Sequence, residues 1–571
     1  MKTLQLTLAI CMACIIQPCF AQDCEGPQSF TKLEVNQVRS GLVPSAGIWN
    51  LPGENGYLVP KEKEYNHSGL ALLLGGLWMG GFDPGGKLKI AAQTYGSTHG
   101  NLDYWPGPIV NGTTTNEACK NWDRFFRIKK AEVEEHLNFV RQFDLLGRPV
   151  PEHLIPASIR AWPGNGNFYF ETENGFPLEG GSFTFFFDKN QNGIYEPQTG
   201  DYPAIETKMG DWLVPDEMVY WVFNDVGNIH NESNSDKIGA EIHAIAYAFS
   251  QPGNLDYSQF YTYRVINKST ERLDDFRFGL WVDPEVGCHN RNMSGCDSVR
   301  SLAFYYAPEI DPQNCPISTP DTFPMLGVDF LDVSVSGSPY SYRPMETFGY
   351  YQSAAIGNPR PATTDPQTGL EFYNYLIGLN RGGNPLDNNG KVSTFAFPSS
   401  PDCMDPTTCW NMCLDSMTYF DRRTIQATGP VTLQPNTYMQ VTFATLYTDD
   451  LTYPCPGNQA LLNISDEVQN LYNRGFESLL LSDKNPIYKN EIKVYPNPTN
   501  GKNARITIKN LPLLSSIYVY DLNGNEIFNK QEIEQKTFEL NESLIQLQKG
   551  IYIITVLVPD GSQFTFKQVV L

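Results

Sequence analysis

The chain has 571 residues, with 41 Lys+Arg against 63 Asp+Glu and a formal charge of −22 at pH 7. That length suggests about three or four domains, and 33 Phe, 30 Tyr and 9 Trp beside 47 Gly and 41 Pro exclude a disordered chain and favour β-sandwiches joined by turns. No basic run is present, which excludes nucleic acid as a partner, because phosphate contacts need clustered Lys and Arg.

Residues 1–21 read as a secretory signal: Lys2 gives the positive start, Leu4 to Ile16 the apolar run, and Cys19-Phe20-Ala21 a small-x-small cleavage site. The run is too short for a transmembrane helix, and a lipoprotein cut at Cys14 would fall inside it. Cys11, Cys14 and Cys19 leave with this signal, so Cys24, Cys119, Cys288, Cys296, Cys315, Cys403, Cys409, Cys413 and Cys455 remain. An oxidising compartment favours disulfides, and the odd count leaves at least one thiol over. Cys288 and Cys296 are close enough in sequence for a local bridge. Cys403, Cys409 and Cys413 read as disulfide partners rather than zinc ligands, since their spacing is not the paired kind and no histidine is near.

Residues 22–160 form a loop-rich β region with one helix at about 130–142, where Val133, His136, Leu137 and Val140 share a stripe. Glu134-Glu135-His136 reads as the solvated edge of that helix, and Gly69 to Gly81 as a buried strand pair. Residues 161–485 read as a large β-sandwich region, with strands at 182–188, 218–223, 243–249, 259–267 and 439–447 and a helix at 465–478. After Lys484-Asn485-Pro486 the composition changes. Residues 491–571 hold eight Lys/Arg, eight Asp/Glu, and no Cys, Trp, Met or His. The whole negative excess therefore precedes residue 491, and in the module 486–571 some seven short alternating strands predict a small Ig-like sandwich. Asn523-Gly524 after Asp521 is its hairpin signal.

The best chemical signal is the loop Asp188-Lys189-Asn190-Gln191-Asn192-Gly193-Ile194-Tyr195-Glu196. Side-chain oxygens of Asp188, Asn190 and Asn192 stand at positions 1, 3 and 5, Gly193 allows the sharp turn, and the Ile194 carbonyl follows. Glu196 and Asp201 complete the expected calcium shell, although Thr199 stands where a bidentate Glu would be. The competing reading is a metal-free turn held by Asx hydrogen bonds. Asp283-Pro284-Glu285 with Asp297 reads as a satisfied acidic loop. No H-E-x-x-H, G-x-S-x-G or Walker pattern occurs. The aromatics at 166–170 and 350–353 are assigned to buried strands rather than a sugar platform, and Asp297-Ser298-Val299 and Asp415-Ser416-Met417 fit a short O-glycosylation pattern.

Val494-Tyr495-Pro496-Asn497-Pro498-Thr499-Asn500-Gly501, then Ile517 to Asp521 with Gly524, then Leu547, Gly550, Ile551 and Tyr552 leading into Lys567 to Leu571, closely resemble the type A C-terminal sorting domain of the type IX secretion system of the Bacteroidetes. The resemblance implies that Tyr495, Pro496, Asn497, Pro498, Gly501, Asp521, Gly524, Gly550 and Tyr552 carry the sorting motif. It further implies partners in the outer-membrane translocon and sorting machinery, and release or attachment to surface lipopolysaccharide. Leu77 to Asp83, Ala91 to Tyr95, Tyr104 to Pro108, Gly193 to Pro203 and Gly429 to Pro435 resemble large uncharacterised secreted proteins that carry this domain, which supplies architecture and no activity.

The expectation is a mostly β, multi-domain chain: a β-sandwich-rich passenger with a few short helices, followed by a small seven-stranded Ig-like sandwich. Its expected role is a secreted or surface-anchored, non-catalytic protein of adhesion, matrix or envelope contact, with calcium pinning one loop. A polysaccharide- or protein-degrading hydrolase and a carbohydrate-binding module are the alternatives, so a glycan or a protein is the expected ligand. A pair of carboxylates in an open cleft would favour the hydrolase, and exposed aromatics would favour the sugar binder.

Overall fold

The computed structural model describes residues 23–52, 56–61, 73–95, 100–144, 147–179, 185–286, 291–309, 323–338, 340, 342–353, 355, 357, 359–388, 390–415, 420–480, 492–499, 505–511, 513–541, 544–558 and 563–571. The signal sequence, the linker at 484–486, Cys288, Cys315, Ser416 and Gly501 lie outside the described residues.

Two nine-stranded antiparallel sheets build the passenger. The first runs Thr31–Leu33, Arg39–Leu42, Gly47–Ile48, Leu73–Phe82, Leu273–Pro284, Arg422–Leu433, Thr347–Gln352, with Tyr57–Leu58 beside Arg39–Leu42 and Leu88–Ala92 beside Leu73–Phe82. The second runs Met293–Asp297, Leu302–Tyr306, Met325–Val335, Tyr438–Thr448, Gln259–Asn267, Ala240–Ala248, Glu217–Asn224, Trp105–Pro106, with Phe126–Lys129 also on Glu217–Asn224. Period-two alternation turns Tyr261, Tyr263 and Phe443 of the second sheet inward. There they meet Phe278 of the first, with Tyr263 and Phe278 ring centres 6.0 Å apart and Tyr261 and Phe443 stacked at 5.1 Å. Aromatic burial of this kind is the main apolar contribution of the core. Polar side chains also tie the sheets together: Gln426 Nε2 donates to the Ser301 carbonyl at 2.7 Å.

Strands from before and after residue 160 hydrogen-bond within the same sheets, Leu73–Phe82 lying directly on Leu273–Pro284. The expected division between 22–160 and 161–485 therefore cuts through both sheets. The Gly-rich run also differs from expectation, forming one ten-residue strand, Leu73–Phe82, rather than a strand pair. Its glycines mark close approach and not a turn: a Cβ on Gly76 would strike the Gln93 carbonyl of the neighbouring segment.

The helix Lys130–Asp144 covers the expected stripe, with Val133 and Val140 buried. His136 is buried too and corrects the solvated-edge reading, which holds only for the exposed Glu134 and Glu135. The second expected helix spans Gln459–Asn473 and buries Val468 and Tyr472, while Phe476 is buried just past its end. A further helix, Gly369–Leu376, begins where the Thr368 hydroxyl accepts the Glu371 amide. It seats Phe372 on Trp78 at 4.6 Å, on the outer face of the first sheet.

Disulfides join Cys24 to Cys119, Cys403 to Cys409 and Cys413 to Cys455, in keeping with the disulfide reading of the 403–413 cluster. The expected Cys288–Cys296 bridge is not formed. Cys296 is a free thiol buried in the strand Met293–Asp297, where its Sγ faces the Ala396 carbonyl at 3.4 Å and its strand position commits it to the core.

The C-terminal residues form seven strands in a three-stranded and a four-stranded sheet around their own apolar cluster. Ile506, Ile508, Ile517 and Val519 are buried as the alternation predicts. In Gly550–Leu557 the buried isoleucine and valine are Ile554 and Val556, because the neighbouring strands set which face meets the cluster.

Candidate functional site

The loop Asp188–Asp201 is drawn into a compact turn by its own side chains. Asp188 Oδ2 accepts the Gly193 amide at 2.7 Å, Asn190 Oδ1 the Asn192 amide at 3.0 Å, and Asn192 Oδ1 the Ile194 amide at 2.7 Å. Both Asn side-chain amides donate to Glu196 Oε2, at 3.2 Å and 2.7 Å. Asp201 lies beneath, fully buried, and its two oxygens accept the Lys189 and Glu196 amides at 2.9 Å and 2.8 Å. Burial pushes its carboxyl up to about 6 against those two bonds. Its carbonyl lies 3.2 Å from His136 Nε2, and burial lowers that imidazole to about 4. Asp201 thus acts as the clasp of the loop, each of its oxygens accepting one backbone amide. Asp188 Oδ1 differs: it is buried and makes no hydrogen bond among the described residues. Among those residues no three His, Cys, Asp or Glu side chains converge as a metal-binding group, and the oxygens of this loop come from two carboxylates, Asp188 and Glu196, with amide and carbonyl groups.

A second cluster lies where Ala91 to Tyr95 meets the segment around residue 230. Buried Asp103 accepts the amides of Ala92 at 2.9 Å, Glu232 at 3.0 Å and Ser233 at 3.1 Å, and so fixes Glu232 beside Thr94. The Thr94 hydroxyl donates to Glu232 Oε1 at 2.5 Å, and burial pushes Glu232 up to about 7 despite that bond. Glu232, Asp365, Tyr95 and Tyr351 line a cleft of about 180 Å³. Tyr95 also donates to Asp283 at 3.2 Å, and Arg423 pairs with Asp283 at 2.8 Å and with Asp421. The acidic segment at 283 is accordingly held in an ion-pair network, in which burial pushes the Asp283 carboxyl up to about 8 against the nearby Arg423. Asp297 accepts the amides of Val299 and Arg300 in a turn, apart from that network.

A concavity of about 840 Å³ lies on the outer face of the second sheet. Its floor consists of the outward residues of two paired strands. Thr262 faces Thr442, their hydroxyls 3.0 Å apart, and Arg264 faces Gln440. Arg264 Nε and Nη2 donate to Gln440 Oε1 at 3.2 Å and 3.0 Å, while the guanidinium lies against the rings of Phe185 and Tyr438, 4.7 Å and 4.6 Å away. The walls carry the Lys208–Asp332 pair at 2.7 Å and the Arg300–Asp466 pair at 2.9 Å. Tyr340 and Tyr342 also line it. None of these residues was singled out from sequence, yet one signal was present: polar Thr262, Arg264, Gln440 and Thr442 alternate with apolar residues in otherwise core-like strands. Of the aromatics considered at 166–170, Phe168 is 84% exposed in a turn and Phe170 is buried in a short helix, so that segment is not a strand. Residues 350–352 do lie on a strand, with Tyr351 buried.

The sorting motif residues act on the last strand, Gln563–Val570. Asn497 Oδ1 accepts the Val569 amide at 3.0 Å and its Nδ2 donates to the Lys567 carbonyl at 2.6 Å, while Gln568 donates to the Pro496 carbonyl at 2.9 Å. Pro498 follows directly, and beyond it Thr499 exchanges backbone bonds with Val569 and Leu571. Tyr495 is partly exposed beneath the Lys509 ammonium, 5.4 Å from its ring. Asp521 accepts the Asn523 and Asn525 amides to close the hairpin, Gly524 supplies its φ of 82°, and Gly550 opens the strand in which Tyr552 donates to the Gln548 carbonyl.

No helix among the described residues is long and apolar enough to cross a membrane. No curated protein matches the chain. Among solved structures, a polysaccharide lyase is similar at 12% identity and TM-score 0.18, covering 58% of this chain and 34% of that one. The surface component PorZ of the type IX secretion system of Porphyromonas gingivalis is similar at 10% identity and TM-score 0.15, covering 67% and 47%. The adhesin domain of Epf from Streptococcus pyogenes is similar at 8% identity and TM-score 0.13, covering 59% and 94%. Superpositions this loose bear on neither fold nor activity. Residues 493–571 match the secretion system C-terminal sorting domain, so this protein carries the type IX sorting tail and is directed to the outer cell surface or the extracellular space.

Proposed function

We propose that the passenger is a non-catalytic contact protein of the cell exterior, serving adhesion, matrix or envelope contact after export through a Sec signal and the type IX translocon, with release or attachment to surface lipopolysaccharide as its final step. The carrying observation is the matched sorting module, whose Pro496-Asn497-Pro498 segment pins the terminal strand. A contact role is supported by the state of the buried acids. Asp225 is held by three backbone amides, Asp283 by Arg423 and Tyr95, and Asp201 by two amides. Deletion of residues 493–571 should trap the folded passenger in the periplasm; undiminished secretion would refute the export route.

In this reading a calcium ion pins the loop Asp188–Asp201. The unbonded Asp188 Oδ1 supports it, and carboxylate, amide and carbonyl oxygens of Asp188, Asn190, Asn192, Ile194 and Glu196 suit a hard cation. Asp201 supports the loop from below through its amide bonds.

One observation favours the hydrolase reading. Glu232 holds its proton near neutral pH and lines a cleft with Asp365, the kind of acid and carboxylate pairing that glycoside hydrolysis uses. Reducing-sugar release from polysaccharides, abolished in Glu232→Gln, would establish it; no turnover by the wild-type protein would remove it.

A further inference from the structure

We infer that the groove on the outer face of the second sheet is a binding site for an uncharged oligosaccharide. Its volume of about 840 Å³ falls within the usual range of ligand sites and accommodates a chain of several sugar rings. Electrostatics narrows the ligand class. The charged lining comprises Glu206, Lys208, Arg264, Arg300, Asp332 and Asp466, three of each sign, in a chain whose formal charge is −22. Two of the three cations are matched on the groove wall by direct ion pairs, Lys208 with Asp332 and Arg300 with Asp466. A polyanion or a basic peptide would therefore meet little net field, whereas a ligand recognised by hydrogen bonds loses nothing from charge balance.

The lining also presents two chemistries together. Tyr340 is 74% exposed, and Tyr342 and Tyr438 are partly exposed, which supplies flat apolar faces for the C–H faces of sugar rings. Between them the floor offers fixed polar groups. The Arg264 guanidinium is held by Gln440 and by contact with the rings of Phe185 and Tyr438, so its orientation is set before any ligand arrives. Thr262 and Thr442 are buried in the same row and bond to each other at 3.0 Å, which stiffens the floor beneath it. Exposed tyrosine faces beside an oriented guanidinium suit the C–H faces and hydroxyls of a neutral glycan. The paired strands beneath make the floor rigid and the walls are tied by ion pairs, so little ordering cost is expected on binding.

The test uses the purified full chain and does not depend on how the protein is exported, so the export reading stands or falls separately. Binding is measured by titration calorimetry against neutral glucan, mannan and xylan oligosaccharides, with sulfated and uronic-acid oligosaccharides and acidic, basic and neutral peptides as comparisons. The expected result is saturable binding to at least one neutral oligosaccharide, nearly unchanged between about 50 and about 500 mM salt, and weakened at least about tenfold by Tyr340→Ala. Tyr340 is exposed, so its removal should leave the thermal midpoint unchanged; Gln440→Ala, which frees Arg264 from its clamp, provides a second variant with the same expected loss. Absence of binding to every neutral oligosaccharide, preference for a charged glycan or a peptide, or wild-type affinity in both folded variants would overturn the assignment.

Discussion

Asp329 sits in the strand Met325–Val335, is fully buried, and accepts the Ser465 hydroxyl of the helix Gln459–Asn473 at 2.6 Å, while its other oxygen makes no hydrogen bond among the described residues. Burial is the main reason its carboxyl rises from 3.8 to about 7, with nearby Asp297 and Asp466 adding to the rise and Arg300 opposing it. The folded state therefore binds this proton more tightly than the unfolded chain does. Between pH 3.8 and about 7 the native protein carries more protons, so stability falls as pH rises through that window and levels off above it. Asp329→Asn keeps an acceptor for Ser465 and removes the titration. Each pH unit corresponds to about 1.4 kcal/mol. From pH 5 to the folded value near 7 the advantage of the variant should therefore grow by up to about 3 kcal/mol, a shift of several degrees in thermal midpoint. Thermal unfolding of both proteins at pH 5 and pH 8, followed by circular dichroism, measures the difference, and the other titrating groups cancel because both proteins share them. A gap that stays constant or narrows as pH rises would refute the reasoning, since it would mean that Asp329 is charged at no cost in the fold.

Removing the Cys24–Cys119 bridge by Cys24→Ser with Cys119→Ser should cost about 2–5 kcal/mol, because it frees a closure of 95 residues, and urea unfolding would show the lower midpoint. Ile554→Ala leaves a cavity in the separate C-terminal cluster and should lower that module's stability by about 2–4 kcal/mol; calorimetry should show its transition moving while the passenger transition holds. Melting with calcium and with chelator should separate the two midpoints in the wild type, and Asp188→Asn should bring them together; equal wild-type midpoints across a wide calcium range would dispose of the metal at that loop.

Sequence alone determined the local and the periodic features. Alternation located Gln259–Asn267 and the strands beside it, the apolar stripe located Lys130–Asp144, and Asp521 with Gly524 located the hairpin, because each depends on neighbours a few residues apart. The sorting module was legible for the same reason, its motif lying in short contiguous pieces. What partners a residue finds across long separations was left to tertiary structure. His136 shares a stripe with Val133 in either case, and only packing against Asp201 decides that it is buried and neutral. Cys296 had a nearby cysteine in sequence, yet its strand position points it at Ala396. The loop at 188–201 was visible as a turn from its Asx and Gly spacing, whereas the amide bonds that occupy Asp201 could be seen only once the turn had closed. The groove was the least legible, since its floor joins residues 262 and 264 to 440 and 442, and its charge balance exists only after those strands pair. Length and net charge thus fixed an acidic β-rich chain with a neutral tail, and tertiary pairing then placed a charge-balanced surface within that acidity.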